Sequence, residues 1–453
     1  MPNSTTDTLS NIADATTPPA SSQARASSFH ASDFAVKRLK KRYGKEMRFR
    51  WWGRAAIGIA LAALLWLLVS LVGTGYTAFR QNFITVDVQI TESIVDPTGA
   101  RDPDALRGAN YRKIIQNTMY AQFPEVTARK EKQALFGLIS ASGATNQVRQ
   151  MVYNDPSLVG QTLALTMPTS DQVDQLLKGY IDRNVPESRR KISDQQIAWV
   201  DSLKEQGIIK AKFNKIFFTN PDSRDPELAG IASAVMGSVM ILFVAFVLAF
   251  PIGVGAAVYL DEFAPKNKFT DFIEININNL AAVPSIVFGL LGLAVFLNFF
   301  GMPRSIPLVG GMVLALRVFP TIIISTRSAL QSVPPSMVDG ALSLGASHTQ
   351  AVFHQKLPLA APGILTGSII GMAQALGETA PLLMIGMVAF VTEVPSSFTE
   401  PATALPVQIF LWSDSAERAW SERTSAAILV LLAVLIIMNG LAIYLRSRLE
   451  KKR

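Results

Sequence analysis

Residues 229–260 contain no Asp, Glu, Lys or Arg. As a helix such a run is about 48 Å long, more than the ~30 Å hydrocarbon core of a bilayer needs. A stretch of this kind leaves few folds open, and it is not alone. Residues 55–79, 275–301 and 426–444 are similarly apolar, 306–324 is broken only by Arg317, and 359–391 carries one charge, Glu378. Counted together, these runs predict an integral membrane protein of six transmembrane helices. The composition agrees, with 49% hydrophobic residues in a chain of 453.

Charge placement sets the expected topology. Lys+Arg total 42 against 34 Asp+Glu, a basic balance that can signal nucleic acid. The cations instead crowd the ends of the apolar runs, between Lys37 and Arg54 and again after Leu445. That distribution reads as a positive-inside signal with both termini cytoplasmic, and nucleic-acid binding is not expected. With no Cys and three His, neither a disulfide framework nor a metal centre is expected. Residues 1–54 read as a flexible basic cytoplasmic tail without the early apolar core of a cleavable signal. Residues 55–79 read as the first transmembrane helix, and 448–453 as a short basic cytoplasmic tail.

Between the first and second spans, residues 80–227 are polar and nearly charge-balanced. NFITVDVQIT alternates with the period of a strand, whereas DQVDQLLKGYID and DQQIAWVDSLKEQG carry helical spacing. A soluble α+β domain inserted on the periplasmic side is expected, since a segment this long can bury a core of its own. Odd and even loops then alternate sides, so DEFAPKNKF and residues 336–358 face the cytoplasm, and about 392–424 face outward.

The 336–358 loop holds the densest local signals. Ser336 can cap a helix, Gly345 suits a left-handed C-terminal position, Ser347 with Gln350 forms a capping box, and Pro358 is read as a stop. Leu344, Val352 and Phe353 are apolar in a segment expected in water. Either they dock a partner or they pack on the chain's own spans. His348 and His354 read as surface residues rather than ligands.

Asp339, Gly340 and Ala341, then Gly345, then Gln355, Lys356, Leu357 and Pro358 keep the spacing of the coupling loop of bacterial ABC importer permeases. The chain resembles that family, although Asp, Gly and Gln stand where its pattern has Glu, Ala and Ile. The resemblance implies a type I importer permease core in the last five spans, residues 228–447. It also implies that Asp339, Gly340, Ala341, Leu344, Gly345, Val352, Phe353, Leu357 and Pro358 dock a separate ATPase. The chain has no GxxxxGK[ST] loop, so ATP and Mg would be used by that partner and no cofactor by this chain. NLAAVPSIVFGLLGL (279–293) and ALGETAPLL (375–383) further resemble the PstA-type permease of the bacterial high-affinity phosphate importer, in a long form with an inserted periplasmic domain.

Charges inside a span cost on the order of 3 kcal/mol or more and usually mark a polar path. One reading makes Arg317 and Glu378 part of an anion route, helped by hydroxyls near helix breaks: Ser285, Ser325, Thr326 and Thr379. The other makes the pair a packing salt bridge and leaves each hydroxyl bonded to its own helix. The chain departs from the family pattern at Gln374 and in the stretch Ile324–Leu330, where the resemblance would place further cations.

The expected function is a phosphate permease subunit in the bacterial inner membrane, not an enzyme. Its implied partners are a second permease, an ATPase dimer, a periplasmic phosphate-binding protein and membrane lipid. A permease for sulfate or molybdate is the nearest alternative. A membrane sensor with an external ligand-binding domain is the rival from another class; it would need a signalling domain after the last span. A membrane enzyme is a weaker rival, since no nucleophile–base set is visible.

Overall fold

A computed structural model describes residues 33–97 and 99–451, with side chains described over 37–97 and 99–448. The chain separates into two compact units, one ending at Ser70 and the other running from Leu71 to the C-terminus. The tail expected at residues 1–32 lies outside the described residues. The rest of that expected tail is not loose: helix α1 runs Asp33–Gly75 without interruption. Its first turns are mostly Lys, Arg, Glu and Met, good helix formers, so the apolar span extends backward as helix.

In the second unit, a 3₁₀ turn Tyr76–Phe79 leads directly into strand β1, Arg80–Gln89. Strands β2, Thr162–Pro168, and β3, Ile209–Phe213, flank it antiparallel in the order β2-β1-β3. The register sets Val86 opposite Leu165 and Phe83 opposite Lys210. The alternation read in the sequence places Ile84, Val86 and Val88 on the buried face, against Tyr111, Ile114, Met119 and Leu135. The two predicted helices form as α2, Asp171–Leu177, and α3, Asp194–Glu205, the latter opened by a Ser193/Gln196 capping box. Entry and exit of this segment are tied side by side. Asn214 donates its backbone N–H to Phe79 O and its side-chain amide to Ala78 O, and Gln81 donates to Glu227 O.

The apolar second half is helical. Helix α4, Ala232–Val258, continues through a wider turn at Tyr259–Phe263. Pro251 does not break it, and Gly253 serves contact: a Cβ there would lie 2.8 Å from the Ile322 side chain. The span expected over 275–301 is two helices, α5, Lys268–Ala281, and α6, Ser285–Gly292, which a wider turn extends to Phe299. They meet at 102°. Pro284 has no N–H to give the helix and disfavours helical geometry at the residue before it, so the chain turns there.

Helix α7, Pro307–Gln331, runs further than expected, past Pro320. After the short α8, Pro335–Ser343, one apolar helix runs His348–Leu376; its regular part after a wide turn is α9, Leu357–Leu376. The span expected over 359–391 therefore stops early, at Gly377. Beyond it come α10, Ala380–Met384, an irregular stretch, α11, Leu405–Ser413, and the last helix α12, Arg418–Lys451. Among the described residues five helices are long and apolar enough to cross a membrane, or six if the bent pair counts as one.

Hydrogen bonds sort the connections into two groups. Ser305 donates to Gly386 O and accepts at its carbonyl from Ala402 N–H, while Trp412 Nε1 donates to Asp222. These bonds gather the 300–306 and 385–417 stretches with the inserted segment. Gln331 and Lys356 instead both reach Asp261, joining the far ends of α4, α7 and the wide turn before α9. Successive connections thus alternate between the two groups.

Candidate functional site

Arg317 projects from the middle of α7, and Glu378 lies in the three-residue break between α9 and α10. Their Nη2 and Oε1 atoms are 3.4 Å apart, with both side chains about four-fifths buried. Arg317 Nε is buried and has no hydrogen-bond partner among the described residues. The ion pair expected as one alternative is therefore present, and it leaves guanidinium donor capacity unused.

The short helix that follows the break at Glu378 and Thr379 packs directly on α6. A Cβ on Gly289 would come 2.7 Å from Pro381 Cα, so the α6 backbone lies directly on α10. Ser285, the first residue of α6, is half-buried one turn away from that contact. The other two hydroxyls are not brought to the pair. Ser325 and Thr326 lie about 12 Å further along α7. Ser325 Oγ donates to Ile322 O, the bland arrangement foreseen for such hydroxyls. Thr326 is fully buried, and its Oγ1 has no partner among the described residues. Gln374 is exposed, and Arg327 pairs with Glu274 on α5 at 2.8 Å.

At the other end of α7 the 336–358 loop combines expected and unexpected features. Helix α8 starts at Pro335 with Pro334 as N-cap, so Ser336 is inside the helix and does not cap it. Proline at the first helical position has preset φ and loses only an N–H that would be unpaired anyway. Gly345 takes φ 90°, with its N–H donating to Leu342 O and the Ala346 N–H to Ala341 O. That is the Schellman pattern. The Ser347/Gln350 capping box forms as read.

Leu344 stands 91% exposed and Phe353 is half-exposed. Val352 is not part of that face: it is fully buried with Val258, Leu330, Val333 and Ala360. Asp339 and Gly340 are exposed, and Ala341 and Leu357 half-buried. Pro358 does not stop the helix. The wide turn Val352–Lys356 precedes it and accommodates a residue that lacks an N–H and crowds the carbonyl four residues back. His348 and His354 are exposed, as expected.

Sequence reading missed the pairing of Lys356, whose Nζ lies 3.3 Å from Asp261 and also contacts Glu262. No local pattern announces such a pair across 95 positions. It also missed the charges that fasten the inserted segment to α12. Lys178 Nζ sits 2.7 Å from both Asp174 and Glu422, and Gln175 donates to Glu422 at 2.7 Å. Asp174 in turn accepts from the Asn82 backbone and side chain.

Beside this network the Asp171 carboxyl is pushed up to about 7, chiefly by burial, then by Glu227, Asp174 and Glu417, with Arg423 opposing. The folded state thus holds a proton that the unfolded chain releases near its ordinary value of 3.8. Asp171 costs nothing below that value and costs increasingly as pH rises to about 7. Melting of the purified protein should shift upward by several degrees between pH 8 and pH 5, and Asp171→Asn should flatten the rise. An unchanged slope in the variant would contradict this assignment.

Residues 249–451 match the family model described as binding-protein-dependent transport system inner membrane component. Residues 36–187 match a model described as a domain of unknown function (DUF3333). The chain is 34% identical over 253 residues to the probable ABC transporter permease protein YqgI of Bacillus subtilis, covering 52% of this chain and 84% of that one. It is 30% identical over 218 residues to the phosphate transport system permease protein PstA of Yersinia pestis, covering 47% and 71%. Among solved structures, an inward-facing MetNI methionine ABC transporter matches at TM-score 0.40 and 17% identity, covering 48% of this chain and 94% of that one. With an apolar helical core and this similarity to relatives covered over most of their length, the chain belongs to the PstA-type permeases of the binding-protein-dependent ABC transport family.

Proposed function

We propose that the chain forms, with a second permease, the route by which inorganic phosphate enters a bacterial cell, driven by ATP and Mg on a separate ATPase dimer. The observation that carries the anion reading is the Arg317–Glu378 pair, set in an apolar bundle at the break between α9 and α10, with Arg317 Nε unpartnered among the described residues. An arginine inside a span attracts an anion, and a neighbouring carboxylate limits how tightly the anion is trapped. Freed N–H groups at broken helices are natural oxyanion donors. The names of the Yersinia pestis relative and of PstA proteins from Xylella fastidiosa support phosphate as the substrate.

In this reading residues 80–227 form a periplasmic domain, 228–447 the permease domain, and the exposed Leu344 and Phe353 meet the ATPase. A phosphate-binding protein delivers substrate at the outer end, and both termini are cytoplasmic. Two exposed positions test the arrangement in a chain without Cys: Ser157 and Thr349. Ser157→Cys should react with an impermeant thiol reagent on intact spheroplasts, and Thr349→Cys only after the membrane is opened. Reversed labelling would overturn the orientation, and with it the docking role of the loop.

A further inference from the structure

Between the inserted segment and the start of α12 lies a cavity of about 490 Å³. One wall carries Tyr180, Arg189, Arg190 and Lys191, and the other Glu417 and Arg418. The Arg190 side chain is only 4% exposed. It meets Asp194 through Nη2, yet its Nε and Nη1 have no hydrogen-bond partner among the described residues. Buried guanidinium donors left unused are costly, because desolvation is not compensated. Neither Arg189 nor Arg418 has an ion pair among the described residues, although Arg418 donates to Tyr180 O at 3.4 Å. Lys191 reaches across the cleft to Glu417 at 3.3 Å.

Three guanidinium groups and Lys191 line the cavity together with the carboxyls of Asp171, Asp182 and Glu417, and this net basic lining suits a carboxylate or phosphate group. The volume falls within the range of about 300–1,000 Å³ typical of organic ligands, well above what a bare oxyanion fills. Ile181 and Val185 add an apolar floor for the body of such a molecule.

We propose that this cleft binds a small organic anion, a phosphate monoester or carboxylate, which fastens the inserted segment to the first turn of α12. Arg190 places its charge at the buried side of the anionic group, and Arg418 grips that group from the opposite wall. Asp171, which borders the cavity and has its carboxyl raised to about 7, becomes less repulsive to an anion as pH falls toward neutrality. This site is separate from the Arg317 pair and does not depend on the transported substrate.

The test is calorimetry on the full chain purified in detergent, at constant ionic strength, with glycerol 3-phosphate, citrate, inorganic phosphate and uncharged glycerol as probes. Glycerol 3-phosphate or citrate should bind saturably and glycerol should not. Arg418→Gln should weaken that binding at least about tenfold, a loss of one charge-assisted contact. Arg190→Gln should abolish it. Because Arg190 also meets Asp194, the exposed Arg418 variant keeps the test valid if the Arg190 variant misfolds. The proposal is overturned if neither organic anion binds, if binding survives Arg418→Gln unchanged, or if inorganic phosphate binds as tightly as the organic anions.

Discussion

Arg317→Gln should lower phosphate uptake about a hundredfold, while the protein still inserts and still binds its ATPase. The contacts of a guanidinium with an anion are worth up to about 3 kcal/mol, and each ~1.4 kcal/mol is tenfold in rate. Glutamine keeps hydrogen bonding but loses the attraction for an anion, so Arg317→Lys should restore part of the uptake without the guanidinium fork. The double variant Arg317→Gln with Glu378→Gln separates the two readings of the pair. A purely structural bridge predicts recovery, since neither charge is then left alone. The transport reading predicts a folded, ATPase-bound and inactive protein. Recovery of uptake would move the path to Ser285 and Thr379.

Gly345→Val should uncouple transport. Nothing lies within 4 Å of a Cβ placed at Gly345, so the substitution causes no clash. The penalty is in the backbone: φ is 90°, where a side chain costs about 1–2 kcal/mol and a β-branched one more. The Schellman turn would open, and Leu344 and the following capping box would shift relative to α8. Uptake and co-purification of the ATPase should both fall at least about tenfold, as expected for a docking contact displaced by roughly 1 Å. Gly345→Asn should stay close to wild type because asparagine tolerates the left-handed region, with Gly345→Ala between. Equal behaviour of Asn, Ala and Val variants would contradict the docking account.

Features governed by local chemistry were legible in the sequence. The strand β1 alternation, the left-handed Gly345 and the Ser347/Gln350 box each depend on a few adjacent residues, and each forms as read. The errors share a cause. Pro358 was read as a stop, but a wide turn carries the helix past it. A helix break was read beside Ser285 but within one span over 275–301; at Pro284 the chain turns by 102°. Whether proline kinks, stops or is absorbed depends on its tertiary neighbours, which one sequence does not display. Val352 failed similarly: its apolar side chain is equally suited to a partner's groove or to the pocket beside Leu330 that it fills. For the candidate site, charges in apolar runs singled out Arg317 and Glu378, and they prove to be partners. The bonds of Lys178 and Gln175 to Glu422 span 244 and 247 positions, so no periodicity could reveal them.

The central claim is that this chain carries phosphate across a membrane on behalf of an ATPase. Its most direct test is ATP-dependent accumulation of radiolabelled phosphate by proteoliposomes holding this chain with its partner permease, ATPase and binding protein. Phosphate should accumulate only with ATP present and only with this chain included, and a large excess of sulfate or molybdate should leave the rate unchanged. Accumulation of sulfate or molybdate instead, or phosphate uptake that persists without this chain, would contradict the account.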